Sequence, residues 1–243
     1  MDSISHTRNE ARDAAQPPVA QHYELIIFDC DGVLVDSERI TARVFADMLG
    51  ELGLAVTLQD IFDQFVGKSL DQCLEIVSRS FGREVPPGFA LEYRTRSGVA
   101  LHSEVKPVAG IGSVLAAIRV PYCVASNGTH DKMRTTLGAT GLLDKFSGRM
   151  FSVADVARGK PFPDLFLHAA ARFGVPPSKC AVIEDTPTGV SAGVAAGMTV
   201  YGYCELTPAH RLTEAGAHRT FDRMERLPAL LRSAANDARP PVP

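Results

Sequence analysis

The chain has no tryptophan, only 7% aromatic residues, and no apolar run that approaches the roughly 20 residues needed to span a bilayer. Its N-terminus also lacks the hydrophobic core of a secretory signal, so the expectation is a soluble cytoplasmic protein with no membrane partner. A basic excess is missing too: 25 Lys and Arg against 28 Asp and Glu leave a formal charge of −3, which offers no face to nucleic acid. The five cysteines, at 30, 73, 123, 180 and 204, are odd in number and show no C-x-x-C spacing, so neither a disulfide framework nor a zinc site is indicated. The seven histidines show no metal-ligand spacing either. What remains is a chain of 243 residues, long enough for one well-buried α/β domain plus a smaller one, and nothing in it demands more than a monomer.

Against these absences stands one dense segment, Phe28-Asp29-Cys30-Asp31-Gly32-Val33-Leu34-Val35-Asp36-Ser37-Glu38. The apolar run Leu25–Phe28 reads as a buried parallel strand, which delivers the residues after it to the carboxyl edge of a sheet, where α/β proteins bind ligands. Gly32 lets the backbone turn sharply beside the acids. Two carboxylates so close do not both stay ionised unless a cation or a proton neutralises one. A calcium loop is excluded because Val33, Leu34 and Val35 occupy positions that need oxygen ligands. Taken alone, the segment leaves a plain turn open. Alternation turns the Cys30 side chain away from the two acids, towards a packing role.

Three further segments come after apolar runs. Ser126-Asn127-Gly128-Thr129 offers a hydroxyl, an amide and backbone N–H groups to a phosphate, or simply a helix cap at Ser126 or Thr129. In Gly159-Lys160-Pro161-Phe162-Pro163-Asp164 two prolines stiffen the stretch that carries Lys160, although a lysine beside a loop proline is also ordinary surface chemistry. Glu184-Asp185-Thr186-Pro187 is a second acidic pair at a strand end, readable as a helix start capped by Asp185 or Thr186.

Together and in this order, the four segments resemble the motifs of the haloacid dehalogenase-like hydrolase superfamily, over roughly residues 24–232. Asp29 and Asp31 match the first motif, Ser126 the second, Lys160 the third, and Glu184 with Asp185 the fourth. Gly-Val-Leu-Val-Asp-Ser-Glu after Asp31 and Lys-Pro-Phe-Pro-Asp from Lys160 look like the phosphoglycolate phosphatase and β-phosphoglucomutase branch. Cys123–Gly128 with Lys132-Met133 is similar to 6-phosphogluconate phosphatase-like members.

The rest of the chain organises around these motifs. Strand patterns near 24–29, 121–125, 149–153, 180–184 and 198–202 alternate with helical ones, which predicts a Rossmann-like, three-layer parallel α/β core over 23–36 and 105–232. Residues 37–104 carry helical stripes, Ile40, Val44, Met48 and Leu52, then Leu70, Cys73, Leu74 and Val77, with a helix start at Thr57 and Asp60. They are expected to form a helical cap hinged near Val33–Asp36 and Ser103–Pro107. Residues 1–22 and 233–243 read as flexible tails.

The resemblance implies a magnesium-dependent phosphatase acting on a small phosphorylated metabolite: a sugar phosphate, sugar-acid phosphate or phosphoglycolate-like ester. Asp29 would be the nucleophile that forms an aspartyl-phosphate, and Asp31 the general acid and then base. Ser126 and Lys160, assisted by the Asn127 backbone, would hold phosphate oxygens. Mg2+ would lie on Asp29, the Asp31 carbonyl and Asp185, with Glu184 alongside. Counting four acids against magnesium and one lysine favours a protonated Asp31 in the substrate complex. A β-phosphoglucomutase shares this core but carries a cap histidine and arginine where this chain has Thr41 and Leu70, so hydrolysis is favoured. A catalytically idle binding module would usually have lost one of the charged residues, and none is missing. Lys68, in Gly67-Lys68-Ser69, is a candidate contact to an anionic substrate, or else a solvated loop lysine; Tyr93, Arg94 and Arg96 are further cap candidates.

Overall fold

The computed structural model describes residues 23–65, 68 and 70–233. The predicted tails therefore lie outside the described residues, except for Ser233. Six parallel strands form one sheet in the order β3-β2-β1-β4-β5-β6. They are β1 (Leu25–Phe28), β2 (Tyr122–Ser126), β3 (Met150–Ser152), β4 (Cys180–Glu184), β5 (Thr199–Tyr203) and β6 (Arg219–Phe221). The expected five-strand core is present within about a residue at each end. The sixth strand is an addition, because Arg219-Thr220-Phe221 is three residues long and too polar to register as an apolar run.

Alternation along the strands builds the two outer layers. Ile26 and Phe28 of β1, with Val124, Ile183 and Tyr201, face Ile111 and Leu115 of α5 (Ile111–Ala117), Met133 and Leu137 of α6 (His130–Ala139), and Leu231 of the C-terminal helix at Leu227–Ser233. Leu25 and Ile27 point the other way with Cys123, Val182 and Val200. There they meet Leu165 and Phe166 of α7 (Asp164–Phe173), Val190 of α8 (Pro187–Ala195) and Leu212 of α9 (Ala209–Glu214). All of these side chains are buried; each contributes on the order of 1.5–3 kcal/mol by leaving water, so the sheet is held from both faces.

Between β1 and α5 lie four helices: α1 (Glu38–Glu51), α2 (Leu58–Gln64), α3 (Leu70–Phe81) and α4 (Phe89–Glu104). They gather an apolar cluster of their own around Phe45, whose ring stands edge-on to Phe65 at 5.3 Å, Phe89 at 6.0 Å and Tyr93 at 5.3 Å. Thr57 and Asp60 close a reciprocal capping box at the start of α2. The two chain crossings into this insertion lie side by side: Val35 bridges Pro107, Asp36 N–H donates to the Lys106 carbonyl at 2.9 Å and Val108 N–H to that of Leu34 at 3.0 Å. α4 also sends Leu101 into the core cluster below the sheet edge.

β1 lies between β2 and β4 and the chain winds outward from it in both directions, so the connections after β1, β2 and β4 diverge at one carboxyl edge. Such a switch point opens a crevice. The first, second and fourth acidic or polar segments all end there.

Candidate functional site

Asp29 continues β1, its N–H donating to the Ile183 carbonyl at 2.9 Å, and Gly32 then turns the chain at φ +75°. A Cβ on Gly32 would collide with the Asp185 carboxylate, so glycine serves both the turn and the close approach of the first and fourth segments. On β4, Glu184 ends the strand and Thr186 caps α8 by accepting from Gly189 N–H at 3.1 Å. Because Thr186 does the capping, Asp185 is left for other work. The same division holds after β2, where Thr129 caps α6 by accepting from Lys132 N–H at 3.2 Å. Ser126 Oγ accepts only from Gly128 N–H at 2.9 Å, and its own hydroxyl proton has no protein acceptor among the described residues.

Lys160 is the hub of the buried part. Its Nζ donates to Asp29 Oδ1 at 2.5 Å, Glu184 Oε1 at 2.6 Å and the Ala125 carbonyl at 2.8 Å, which engages all three of its protons. The loop that carries it is clamped by the Asn127 amide, whose Oδ1 accepts from Lys160 N–H at 2.9 Å and whose Nδ2 donates to the Lys160 carbonyl at 3.1 Å. Glu184 is saturated as well: its second oxygen accepts from the backbone of Asp185 and Thr186 and from the Thr186 hydroxyl.

Carboxylate oxygens of Asp29, Glu184 and Asp185 lie within 4.8 Å of one another, all buried. Burial pushes the Asp29 carboxyl up to about 7 against the opposing pull of Lys160, with Glu184 and Asp31 adding to the rise. Burial, then Glu184 and Asp29, push Asp185 well above the usual carboxylate range. Asp185 Oδ1 is buried with no hydrogen-bond partner. An orphaned carboxylate oxygen in an all-oxygen cluster fits a hard divalent cation such as Mg2+, which would supply the missing partner and the missing positive charge.

Asp31 stands apart from this group. Burial works to raise its carboxyl, but Lys132 Nζ at 2.8 Å on Oδ2 and the Ser37 hydroxyl at 2.6 Å on Oδ1 hold it below the usual range. The count of four acids against one lysine, from which a protonated Asp31 is expected, omits a second lysine: with Lys132 on it, Asp31 is held ionised before substrate binds. Glu38, at the start of α1, is pushed up to about 7 by burial and by Asp31, with Lys132 opposing. Lys132, Ser37 and Glu38 are the residues that the sequence motifs do not assign. The available signal was position: Lys132 lies in the first turn of the helix that begins at Thr129, hence at the same sheet edge.

The structure brings together Asp29, Asp31, Ser126, Asn127, Lys160, Glu184 and Asp185, and does not bring Lys68 to them. Lys68 is exposed, and its Nζ donates to the Gln64 carbonyl at 2.5 Å. Its neighbours Gly67 and Ser69 lie outside the described residues. Arg96 is tied to Glu51 and Glu92 on the exposed side of α4. Tyr93 reaches back to the Thr41 carbonyl at 3.5 Å. Cys30 is buried in the core, as alternation predicts, and burial raises its thiol far from reactivity.

Comparison with known proteins agrees with this arrangement. A haloacid dehalogenase-like hydrolase family model matches residues 23–197. The chain is 34% identical to the 6-phosphogluconate phosphatase of Escherichia coli K12 over 215 residues, covering 88% of this chain and 97% of that protein. A haloacid dehalogenase-like protein from Agrobacterium tumefaciens superposes with a TM-score of 0.84 at 35% identity, covering 88% of this chain and 99% of that one. A hydrolase of the same family from Deinococcus radiodurans, solved with phosphate and sodium bound, gives 0.75 at 33% identity, over 90% and 97% of the two chains. With its parallel sheet, its four motifs at one edge and these matches, the chain belongs to the haloacid dehalogenase-like hydrolases.

Proposed function

We propose that the protein is a Mg2+-dependent phosphatase that hydrolyses the phosphomonoester of a small metabolite through an aspartyl-phosphate. The observation that carries this reading is the buried oxygen cluster of Asp29, Glu184 and Asp185, with Asp185 Oδ1 unpartnered, beside a lysine that neutralises two of the three. Phosphatase relatives of matching length support it.

Asp29 lies at the end of β1, fixed by the sheet, and attacks phosphorus in line. Ser126 donates its unaccepted hydroxyl proton to a phosphate oxygen, and the Asn127 backbone assists. Lys160 balances Asp29 and Glu184; once Asp29 is esterified its charge is gone and the Lys160 bond to it is free to pass to a phosphate oxygen. Asp31, two residues on and held as a carboxylate by Ser37 and Lys132 before substrate arrives, is the proton-transfer group: it takes up a proton as the charged phosphate binds beside it, gives that proton to the leaving oxygen and then takes one from the attacking water. The side chains of Asp29 and Asp185 and the Asp31 carbonyl would hold the metal, with Glu184 orienting them through its bonds to Lys160 and Thr186. When bound, the metal neutralises charge on the phosphoryl oxygens. In the same reading, helices α1–α4, residues 37–104, are a cap over the core of 23–36 and 105–232.

The mutase reading loses ground on two contacts. The Thr41 hydroxyl is tied to the Ser37 and Glu38 carbonyls of its own helix at 3.2 Å each, and Leu70 packs into the apolar cluster around Phe45. Neither offers an acid, a base or a cation to a second sugar. Turnover of p-nitrophenyl phosphate that depends on added Mg2+ tests the phosphatase. A phosphorus NMR time course with β-glucose 1-phosphate and a bisphosphate primer separates the two activities: phosphate release is expected, and isomerisation that outpaces it would promote the mutase.

A further inference from the structure

The two lysines at this sheet edge differ in what their ammonium groups hold. An ammonium has three protons to donate and nothing with which to accept. Lys160, with its side chain 4% exposed, gives all three to Asp29, Glu184 and the Ala125 carbonyl. Lys132 gives one, to Asp31 Oδ2 at 2.8 Å, and its side chain is 37% exposed. Its other two protons meet no acceptor among the described residues.

The backbone at Lys132 is fixed by the Thr129 cap and by the Thr136 hydroxyl, which donates to its carbonyl at 3.1 Å. The stem then runs beside Gly128, where a Cβ would come within 3.4 Å of Lys132 Cδ and 3.7 Å of Asp31 Oδ2. The amine is thus delivered to the carboxylate that, in the proposed function, faces the leaving oxygen. Glu38 of α1 and Tyr93 of α4 both interact electrostatically with it, so it lies where the insertion meets the core. Of the arginines near these residues in the insertion, Arg39 is engaged with Asp36 and Glu205, Arg43 with Glu104 and Arg96 with Glu51 and Glu92, while Arg94 is exposed on α4. A neutral leaving group needs no cation beside Asp31. One that carries its own negative charge towards Asp29, Asp31, Glu184 and Asp185 does.

We propose that Lys132 is a specificity-determining residue: while one proton stays on Asp31, the other two hold a carboxylate of the leaving group, which makes the preferred substrate a phosphate ester of a polyhydroxy acid. Glu38 and the Tyr93 phenol are then neighbours suited to the hydroxyls of the same molecule. This rests on the phosphatase reading and narrows its substrate class.

The test compares two esters that differ only at the far end, 6-phosphogluconate with a carboxylate and glucitol 6-phosphate with a hydroxymethyl group. The wild-type preference, as the ratio of their kcat/KM values, should favour the acid. Lys132→Met should reduce that ratio about 10- to 100-fold, the range of a charge-assisted contact, mainly through KM for the acid. Lys132→Arg should keep most of it. Any loss that Lys132→Met causes by disturbing Asp31 falls on both esters and divides out of the ratio. An unchanged ratio would overturn the proposal and leave Lys132 as a positioning residue for Asp31. Binding of free gluconate and free glucitol, measured by calorimetry on the wild-type protein and on Lys132→Arg, needs no turnover: tighter gluconate binding is expected in both, and equal affinities would count against the proposal. If the wild type hydrolyses neither ester nor p-nitrophenyl phosphate, the phosphatase reading fails, and the same calorimetry on Lys132→Met decides the role of Lys132: loss of the gluconate preference supports it and an unchanged preference overturns it.

Discussion

The sheet edge and the helical insertion both carry many charges, but they hold them in opposite ways. At the sheet edge Asp29, Glu184, Asp185 and Lys160 are buried together; Lys160 bonds Asp29 and Glu184, and burial beside the other acids raises the Asp29 and Asp185 carboxyls. In the insertion, Arg43–Glu104, Arg96–Glu51 and Arg79–Glu75 are paired at 41–80% side-chain exposure, where water screens the attraction. The insertion is held together instead by Phe45 and the aromatic rings around it. Charge is therefore chemistry in one region and surface in the other. Lys132 and Glu38 lie where the two meet.

The sharpest way to break this contrast is Asp29→Asn. It removes the proposed nucleophile at constant shape, so turnover should fall by more than about 10⁴-fold. Because the substitution also relieves carboxylate crowding, the thermal midpoint should not drop. Unchanged turnover in a clean preparation would refute the covalent route. Chelation comes next: EDTA should abolish activity and Mg2+ should restore it, while Ca2+, with its larger and looser shell, should restore little. Activity that survives exhaustive chelation would refute the reading of Asp185.

A smaller but still large effect is expected on stability. Lys160→Met strips the shared cation from two buried carboxylates and should cost on the order of 3–5 kcal/mol in urea unfolding, since it leaves uncompensated buried charge. A cost under about 1 kcal/mol would mean that both carboxylates are already protonated in the fold. At the other extreme, Arg96→Ala should leave kcat/KM within about twofold of wild type and the thermal midpoint unmoved, because an exposed pair contributes little. A large kcat/KM loss there would bring α4 into the site and erase the contrast.

Most of the candidate site is legible in the order of residues. Apolar runs ending in Asp29, Ser126 and Glu184 mark strands, and a parallel strand necessarily presents its successor residues at the carboxyl edge, so the motifs converge by topology alone. The Thr57–Asp60 helix start and the inward turn of Cys30 come from local rules of the same kind. Local pattern does not reveal, however, which of two adjacent groups caps a helix and which is left over. Only the fold shows that Thr129 and Thr186 do the capping, freeing Ser126 and Asp185.

Three features exist only in the folded chain. Strand β6 is three residues long and half polar, and forms because β5 offers it an open edge to pair with. Lys68 and Arg96, plausible by analogy in the chain, found nearer acceptors in Gln64, Glu51 and Glu92, since a long flexible cation bonds whatever acceptor the packing places closest. Lys132 is separated from Asp31 by 101 residues, and no periodicity links them. They meet because β1 and β2 are neighbours in the sheet and a helix begins just beyond β2, a distance relation that arises only after the strands have paired.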